Sequence, residues 1–331
     1  MRLIFVDDSL PGITRRMLRG HWAYTDPDGA RIRDPQEIKR LNAIALPPAY
    51  HDAWFAPAPN AHILATGWDE KGRKQYRYHP DFRAEREALK FDGCARFGRL
   101  LPLIRQRVET DLAVKVCSID RAIASVVRLL DGGGIRIGNA SYAKANKSFG
   151  ATTLRMRHAR VTGGTLHLKF RAKSGKQREM HVTDKGLVRF VRRMQDLPGQ
   201  HLFQYLDPDG HASPINSGDV NDYIRQTTGA DVTAKHFRTW RASVLAFAAM
   251  HAAKSDLTMK QVLDDVSQQL GNTPAIARKS YIHPAVLACV ADQATLRALP
   301  LPRKTRWLDR HERALIAFLE GQPSALSLLA V

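Results

Sequence analysis

The chain has 331 residues, of which 44% are hydrophobic and 25% are charged, and its 51 Lys and Arg against 32 Asp and Glu give a formal net charge of +19. This apolar content excludes a largely disordered chain. No run approaches the roughly 18 uninterrupted apolar residues of a membrane span. The length favours two domains, and the charge indicates a polyanionic partner, with nucleic acid preferred over a membrane surface and a merely basic protein as the alternative.

The cysteines and the N-terminus bear on the cellular compartment. Cys94, Cys117 and Cys289 are scattered and odd in number, which argues against a disulfide framework. The opening MRLIFVDDSLPG has a four-residue apolar run followed by two aspartates, unlike a signal peptide. We therefore expect a cytoplasmic protein. No CxxC or HxxxH pair indicates a structural metal site, so no metal is expected.

Residues 1 to about 85 are expected to form strands and turns. WAYTDPDGARIR has strand-like ends around a turn at Asp26–Gly29. HILATGW and RKQYRYH flank DEKG and predict a second hairpin. Between them, PQEIKRLNAIALP predicts a short helix that begins at Pro35 and ends at Pro47.

The rest of the chain is expected to be mainly helical. TLHLKFRA alternates apolar and polar residues, and with QREMHV it predicts a hairpin whose turn is KSGK. From Asp184 onward we expect helices again. Apolar spacing and end signals predict helices at Arg86–Asp111, Ile119–Leu130, Phe237–Ala253, Met259–Leu270, Pro274–Tyr281 and about Leu308–Leu319.

These elements predict an α+β protein of two domains. Residues 1–85 would form a small β-rich N-terminal domain. Residues 86–331 would form a larger, mostly α-helical domain with a hairpin at about 164–182. The pattern changes from strands to long helices near residue 85, which sets the predicted boundary.

The positive charge is concentrated in one stretch. From Arg136 to Arg178 there are eleven Lys and Arg and no Asp or Glu. Apolar residues alternate within it, so we expect it to be folded. A folded surface of one sign favours a phosphate backbone as the partner. The basic residues are Arg136, Lys144, Lys147, Arg155, Arg157, Arg160, Lys169, Arg171, Lys173, Lys176 and Arg178.

Five residues in this order form a set that metal-free transesterification at a phosphodiester needs. Arginine forks neutralise and orient non-bridging oxygens, a lysine protonates the leaving oxygen, and a tyrosine is a nucleophile. Each residue alone has an ordinary structural explanation, as a surface arginine, a turn lysine, a turn amide or a packed tyrosine. The candidates are Arg136, Lys173, Arg238, Asn272 and Tyr281.

The motifs around these residues resemble those of the small bacterial and viral type IB DNA topoisomerases, over roughly residues 20–290. ATGWDEKGRKQYRYHPDFR resembles the family's N-terminal hairpin, with its pattern D-x-K-G-R-K-Q-Y-x-Y. GGIRIGNASYAK and AKHFRTWRAS resemble the segments of the two catalytic arginines. LKFRAKSGK resembles the hairpin of the general-acid lysine, and LGNTPAIARKSYIHP the segment that ends in the nucleophile.

The resemblance implies a catalytic domain with the fold shared by tyrosine recombinases and type IB topoisomerases. It assigns Arg136 and Arg238 as the catalytic arginines, Lys173 as the general acid and Tyr281 as the nucleophile. Many relatives have histidine where this chain has Asn272. An amide still donates an N–H to a non-bridging oxygen, but it carries no charge.

The resemblance also implies the reaction and the partners. Tyr281 would form a DNA 3′-phosphotyrosine in duplex DNA, supercoils would relax, and no ATP, metal or other cofactor would be needed. We expect a nucleoid-associated cytoplasmic monomer without a membrane partner, whose N-terminal domain helps to clamp DNA. Matching positions predict DNA contacts by Gln75, Tyr76, Tyr78, Tyr142 and Lys235.

Two other functions account for part of the pattern. A tyrosine recombinase uses the same catalytic set, but its helix motif usually begins with histidine where this chain has Lys235, and its N-terminal domain is usually helical. A non-catalytic basic DNA-binding protein accounts for the charge, but not for the ordered series of candidate residues.

Overall fold

The computed structural model describes residues 2–197, 199–207 and 209–329. The chain divides into two compact units, Met1–Ala88 and Leu89–Val331. The first unit is built on a β-sheet and the second is mostly helical. This confirms the predicted α+β class. The boundary between the units falls within a continuous helix, Pro80–Ala113.

The first unit is a five-stranded antiparallel sheet with the order β2-β1-β3-β4-β5. A helix, α1 (Pro35–Ala43), supplies Leu41 to the core of this unit. In that core Tyr24 and Phe55 pack edge to face, with ring centroids 5.5 Å apart. The strands are β1 (Ile13–Leu18), β2 (His21–Thr25), β3 (His51–Phe55), β4 (Ile63–Trp68) and β5 (Lys74–Tyr78).

The sequence predicted this unit in part. The hairpin of β4 and β5 is confirmed. The predicted hairpin around Asp26–Gly29 was wrong in its strand pairing. Strand β2 pairs with β1, and the residues after the turn contribute only a bridge between Thr25 and Arg31. Helix α1 begins at Pro35 as predicted but ends at Ala43, before a left-handed residue at Ala45 (φ +54°).

The second unit packs its helices around α7, which contacts α3, α6, α8, α10, α11 and α12. The helices are α2 (Pro80–Ala113), α3 (Ile119–Gly133), α4 (Ala140–Asn146), α5 (Lys185–Gln195), α6 (Ser217–Thr228), α7 (Ala234–Ala252), α8 (Met259–Leu270), α9 (Pro274–Ser280), α10 (Pro284–Ala288), α11 (Gln293–Ala298), α12 (Arg310–Glu320) and α13 (Ala325–Leu329). All six predicted helices are present with shifted ends, except that α8 has the predicted bounds. No helix of the described residues has the length and apolarity to cross a membrane.

A three-stranded sheet of order β6-β7-β8 carries the predicted hairpin. The hairpin strands β7 (Thr165–Arg171) and β8 (Gln177–Val182) pair as expected, and β6 (Ala159–Thr162) adds a strand that was not predicted. The chain after Asp184 is not helical throughout. It also forms a two-stranded sheet of β9 (Gln204–Leu206) and β10 (Ala212–Pro214), so that expectation was wrong.

Candidate active site

The first candidate arginine follows the end of α3. Gly134 caps this helix in the left-handed conformation (φ +55°), which glycine adopts without a side-chain clash. The chain then turns away from the helix axis, and Arg136 points to Asn272, with 2.9 Å from Nη2 to the amide Oδ1. The Gly134 cap, two residues before Arg136, therefore terminates α3.

The backbone of Arg136 is held by the segment that returns after α4. Ala151 donates its backbone N–H to the Arg136 carbonyl at 2.8 Å, and Thr152 donates to the Ile137 carbonyl at 2.8 Å. A Cβ added at Gly150 would lie 2.6 Å from the Arg136 carbonyl oxygen. Glycine at this position allows the two backbone segments to approach closely. The two hydrogen bonds between them then hold the main chain of Arg136 in place.

The second candidate arginine, Arg238, is the fifth residue of α7 and is 3% exposed. Its guanidinium donates to the Gly134 carbonyl, to the Leu270 carbonyl at 3.2 Å and to Asn272 Oδ1 at 2.7 Å. Burial, together with the nearby charge of Arg136, lowers the pKa of Arg238 to about 10. The side chain therefore remains protonated at neutral pH, as a buried cation held largely by backbone oxygens.

Asn272 joins the two arginines. It follows Gly271, the left-handed cap of α8 (φ +63°), and its Oδ1 accepts from both guanidinium groups. Its Nδ2 is buried, and no described residue accepts from it. The amide therefore spaces the arginines through its oxygen and has an N–H left for a further acceptor.

Tyr281 lies at the end of α9, against the second arginine. The guanidinium carbon of Arg238 is 4.7 Å from the centroid of the phenol ring. Burial raises the pKa of the Tyr281 phenol, but the charges and hydrogen bonds of Arg238 and Arg136 outweigh burial and lower it below its ordinary value. The surroundings of the ring thus favour the phenolate, which is the nucleophilic form.

The main chain on both sides of Tyr281 is tied to neighbouring helices. Lys90 of α2 donates its Nζ to the Ser280 carbonyl at 3.0 Å. On the other side, the His283 N–H donates to Ser243 Oγ of α7 at 3.0 Å. These two bonds fix the short segment that presents the phenol.

Lys173 lies on the exposed turn between β7 and β8, where Ser174 and Gly175 have positive φ angles of 63° and 75°. It lines a cavity of about 360 Å³ together with Arg136, Arg238 and Tyr281. An adjoining cavity of about 260 Å³ is lined by Lys173, Asn272 and Tyr281 among others. The structure therefore brings all five candidate catalytic residues to one cleft of the second unit.

The five predicted DNA-contacting residues fall in two places. Tyr142 and Lys235 line the larger cavity of this cleft. Tyr76 and Tyr78 lie on β5 of the first unit, 40% and 39% exposed, and their rings stack with centroids 5.7 Å apart. Gln75 on the same strand donates its Nε2 to Asp69 Oδ2 at 3.0 Å.

Tyr223 lies on α6 of the second unit and serves as a comparison for Tyr281. It is 4% exposed, and its hydroxyl donates to Asp111 Oδ2 at 2.7 Å. Burial, followed by the hydrogen bond to that carboxylate, raises the pKa of the phenol. Its surroundings disfavour the phenolate, in contrast to those of Tyr281.

Sequence reasoning missed one residue that is built into the site. From the sequence, Arg178 was assigned only to the basic stretch. In the structure its guanidinium donates to backbone carbonyls at the ends of α3 and α8. The alternation of β8 contained a signal, because Arg178 shares a strand face with Met180 and Val182. A charge on the apolar face of a strand indicates a buried, hydrogen-bonded arginine.

A second missed feature lies behind α7. Trp240, two residues after Arg238, donates its Nε1 to Glu312 Oε1 of α12 at 3.2 Å. Glu312 also accepts from Arg105 at 2.6 Å, and Arg105 pairs with Asp131 of α3 at 2.8 Å. Residues 290–331, for which the sequence predicted only a packing helix, thus contribute a buried carboxylate next to the helix that carries Arg238.

Two protein-family models and several curated proteins match this chain. Residues 79–295 match the family described as eukaryotic DNA topoisomerase I, catalytic core, and residues 21–69 match the bacterial DNA topoisomerase IB, N-terminal domain. DNA topoisomerase 1B of Acanthamoeba polyphaga mimivirus is 29% identical over 287 residues, which cover 82% of this chain and 85% of the relative. DNA topoisomerase 1B of Vaccinia virus (strain Copenhagen) is 22% identical over 236 residues, which cover 70% of this chain and 73% of the relative.

Proposed function

The chain belongs to the type IB DNA topoisomerases, and from this premise we propose that duplex DNA is cleaved and rejoined in the cleft of the second unit. The observation that carries this proposal is the meeting of Arg136 and Arg238 at Asn272, with the phenol of Tyr281 beside them. Type IB enzymes act without ATP or a metal ion, and we propose the same for this protein.

In the proposed reaction Tyr281 is the nucleophile. Its phenol proton is released to water, the phenolate oxygen forms a bond to phosphorus, and the bond from phosphorus to the 5′-oxygen breaks. The product is a DNA 3′-phosphotyrosine and a strand with a 5′-hydroxyl. The lowered pKa of the phenol supports this assignment, because more phenolate is present near neutral pH than for an ordinary tyrosine.

Arg136, Arg238 and Asn272 are proposed to bind the non-bridging oxygens. Both guanidinium groups are held at Asn272 by the protein's own groups, so little reorganisation is needed as negative charge develops on the phosphoryl group. No described residue accepts from Nδ2 of Asn272, which supports its role as a neutral donor to one of these oxygens.

Lys173 is proposed to be the general acid. Its ammonium proton passes to the departing 5′-oxygen, and the same proton returns when the 5′-hydroxyl attacks the phosphotyrosine to rejoin the strand. Between these steps the free end swivels and supercoils relax. The energy of the phosphodiester is kept in the phosphotyrosine bond, which is why the reaction needs no ATP.

We propose that both units contact DNA. Tyr142 and Lys235 would bind next to the scissile phosphate, since they line the same cavity as Tyr281. The exposed, stacked rings of Tyr76 and Tyr78 support a contact from the first unit, with Gln75 beside them. We further propose that the enzyme acts as a monomer on the nucleoid, in the cytoplasm.

Relaxation of supercoiled plasmid tests the proposed function. The protein should relax positive and negative supercoils in EDTA without ATP, and stopping the reaction with detergent should trap a covalent protein–DNA adduct on a denaturing gel. Strict dependence on Mg²⁺ or ATP would contradict the proposal. Binding without any adduct would support a non-catalytic DNA-binding protein instead.

A further inference from the structure

Arg178 occupies an unusual position for a strand residue. Its Nη2 donates to the Gly133 carbonyl at 2.8 Å and to the Gln269 carbonyl at 3.0 Å, and its Nη1 donates to the Leu270 carbonyl. These oxygens lie at the C-terminal ends of α3 and α8. One side chain from β8 therefore holds the ends of two helices that come from distant parts of the chain.

The chemistry of helix ends explains why a cation is stable there. The last carbonyls of a helix have no partner within the helix, and the helix dipole places partial negative charge at that end. Burial, together with the nearby charges of Arg238 and Arg136, lowers the pKa of Arg178 to about 10. The guanidinium thus remains charged at neutral pH although three further arginines, Arg136, Arg238 and Arg241, lie nearby.

The two helix ends lead directly to residues of the proposed active site. Arg136 lies three residues after Gly133, and Asn272 lies two residues after Leu270. A Cβ added at Gly271 would lie 2.5 Å from Arg178 Nη1, so the guanidinium packs on the turn itself. Arg178 therefore contacts the backbone that places the phosphate-binding side chains.

In the other direction, Arg178 lies five residues after the proposed general acid. The strands stay in register up to the turn, with Arg178 opposite Phe170, and Ala172 donates to the Lys176 carbonyl at 2.7 Å. Lys173 is exposed on this turn. Its position relative to the arginines therefore depends on the hairpin that carries it.

We propose that Arg178 is a positioning residue for the general acid: it fixes the Lys173 hairpin against the ends of α3 and α8, and so places the Lys173 ammonium relative to the phosphate-binding arginines. This inference rests on the proposed function. Arg178 itself makes no contact with the reacting atoms in this account. Its contribution is transmitted through β8 and the turn.

The test compares two DNA substrates in single-turnover cleavage by the full chain. One is an ordinary duplex, and the other carries sulfur in place of the 5′-bridging oxygen at the scissile phosphate. A thiolate leaves without being protonated, because its pKa is far below that of an alcohol. A variant whose defect lies in the general acid is therefore slow on the first substrate and largely rescued on the second.

Arg178→Met removes the charge and the donors while keeping a long side chain. We expect cleavage of ordinary DNA to slow by about 10²-fold, the usual cost of misplacing a catalytic group by about 1 Å. Cleavage of the sulfur substrate should slow much less. Arg178→Lys keeps a cation near the carbonyls and should be intermediate, and adding Lys173→Ala to Arg178→Met should cost no more than Lys173→Ala alone.

Arg192→Met is the matched control. Arg192 of α5 also donates from a guanidinium to a backbone carbonyl of this sheet, that of Gly163 in the turn between β6 and β7. It lies outside the cleft and should not change either rate. With protein in saturating excess over DNA, the single-turnover rate constants report the folded protein, so an unfolded fraction of a variant slows cleavage of neither substrate.

The outcomes separate this inference from the function on which it rests. If the wild type forms no covalent adduct, the proposed function fails. If the wild type cleaves and sulfur rescues Lys173→Ala, but both Arg178 variants are slowed equally on the two substrates, only the positioning role is overturned. Unchanged rates in both Arg178 variants overturn it as well.

Discussion

The two sides of the proposed active site differ in how their charges are held. Arg238 is buried, and its guanidinium is bound by backbone carbonyls and by Asn272. Lys173, across the cleft, is exposed on a turn with two left-handed residues. The proposed phosphate-binding arginine is therefore held in place by groups of the protein itself, whereas the lysine depends on its hairpin for its position. Variants on the two sides should differ in how much they slow cleavage and in whether the sulfur substrate rescues them.

The largest effect is expected at the nucleophile, on the arginine side. Tyr281→Phe removes only the phenolic oxygen, so the variant should bind duplex DNA but form no covalent adduct and relax no plasmid. Adduct formation on a denaturing gel and DNA binding by gel shift are the two measurements.

Tyr223→Phe is the matched control for this tyrosine. Its hydroxyl is bonded to Asp111, which keeps Arg107 as a partner in the variant. Tyr223→Phe should therefore retain adduct formation. A covalent adduct in Tyr281→Phe would contradict the assignment of the nucleophile.

The next largest effect is expected on the lysine side. Lys173→Ala should slow single-turnover cleavage by about 10²–10⁴-fold, the usual contribution of a positioned proton donor. The defect should shrink on DNA with sulfur at the 5′-bridging position. An equal defect on both substrates would mean that Lys173 only binds the phosphate, and the contrast between the two sides would disappear.

A smaller loss of cleavage rate is expected for variants of Asn272. Two substitutions distinguish the role of its amide N–H from the role of its amide oxygen. Asn272→Ala should lower the cleavage rate by about 10²–10³-fold, as for the loss of one oxyanion donor. Asn272→Asp keeps an oxygen for both arginines but removes the N–H and adds negative charge. If the N–H acts on the phosphate, Asn272→Asp should be at least as slow as Asn272→Ala. A nearly normal rate for Asn272→Asp would show that the residue only spaces the arginines.

The smallest effect on cleavage is expected behind the arginine side, where Glu312 supports α7. Burial raises the pKa of the Glu312 carboxyl, but the hydrogen bonds and charge of Arg105 outweigh it and hold the pKa below its ordinary value. Glu312→Gln should cost about 3 kcal/mol of unfolding free energy at pH 7, the low end for breaking a buried pair, because Arg105 keeps Asp131. Cleavage should change little in the folded variant.

The sign of the pH dependence follows from the lowered pKa of Glu312. Its stabilising contribution is present above the ordinary glutamate value of about 4.3 and is lost as the pH falls through the lower value in the folded state. The difference between wild type and Glu312→Gln in urea unfolding should therefore shrink at acid pH. Glu320→Gln, in an exposed pair with Arg99, is the control. A constant difference from pH 7 to pH 3 would contradict this account.

The sequence predicted the elements whose signals are local. The hairpin of β7 and β8 follows from strict alternation, and α8 and α9 from apolar spacing and the cap at Thr273, whose hydroxyl accepts from the Ile276 N–H. Strand β1 was missed because two arginines interrupt its apolar pattern, and its pairing of Ile13 with Phe55 joins residues far apart in the chain.

The candidate site was predictable as a set of residues but not as an arrangement. Ordered motifs indicated Arg136, Arg238, Asn272 and Tyr281. The amide oxygen of Asn272 accepts from both guanidinium groups. The contact with Arg136 joins segments more than a hundred residues apart, so no local sequence pattern encodes it. Arg178 was missed for the same reason, although its place on the apolar face of β8 contained a signal.

The central claim is that Tyr281 carries the covalent link to DNA, and mapping the adduct tests it most directly. The wild type is trapped on a duplex whose cleaved strand loses a short 5′-hydroxyl fragment, the complex is digested with trypsin and nuclease, and the modified peptide is sequenced by mass spectrometry. Cleavage after Lys279 and Arg297 gives a peptide that contains Tyr281 and no other tyrosine. We expect a nucleotide on Tyr281, joined through its 3′-phosphate. A nucleotide on another residue, or a 5′-phosphate linkage, would contradict this expectation.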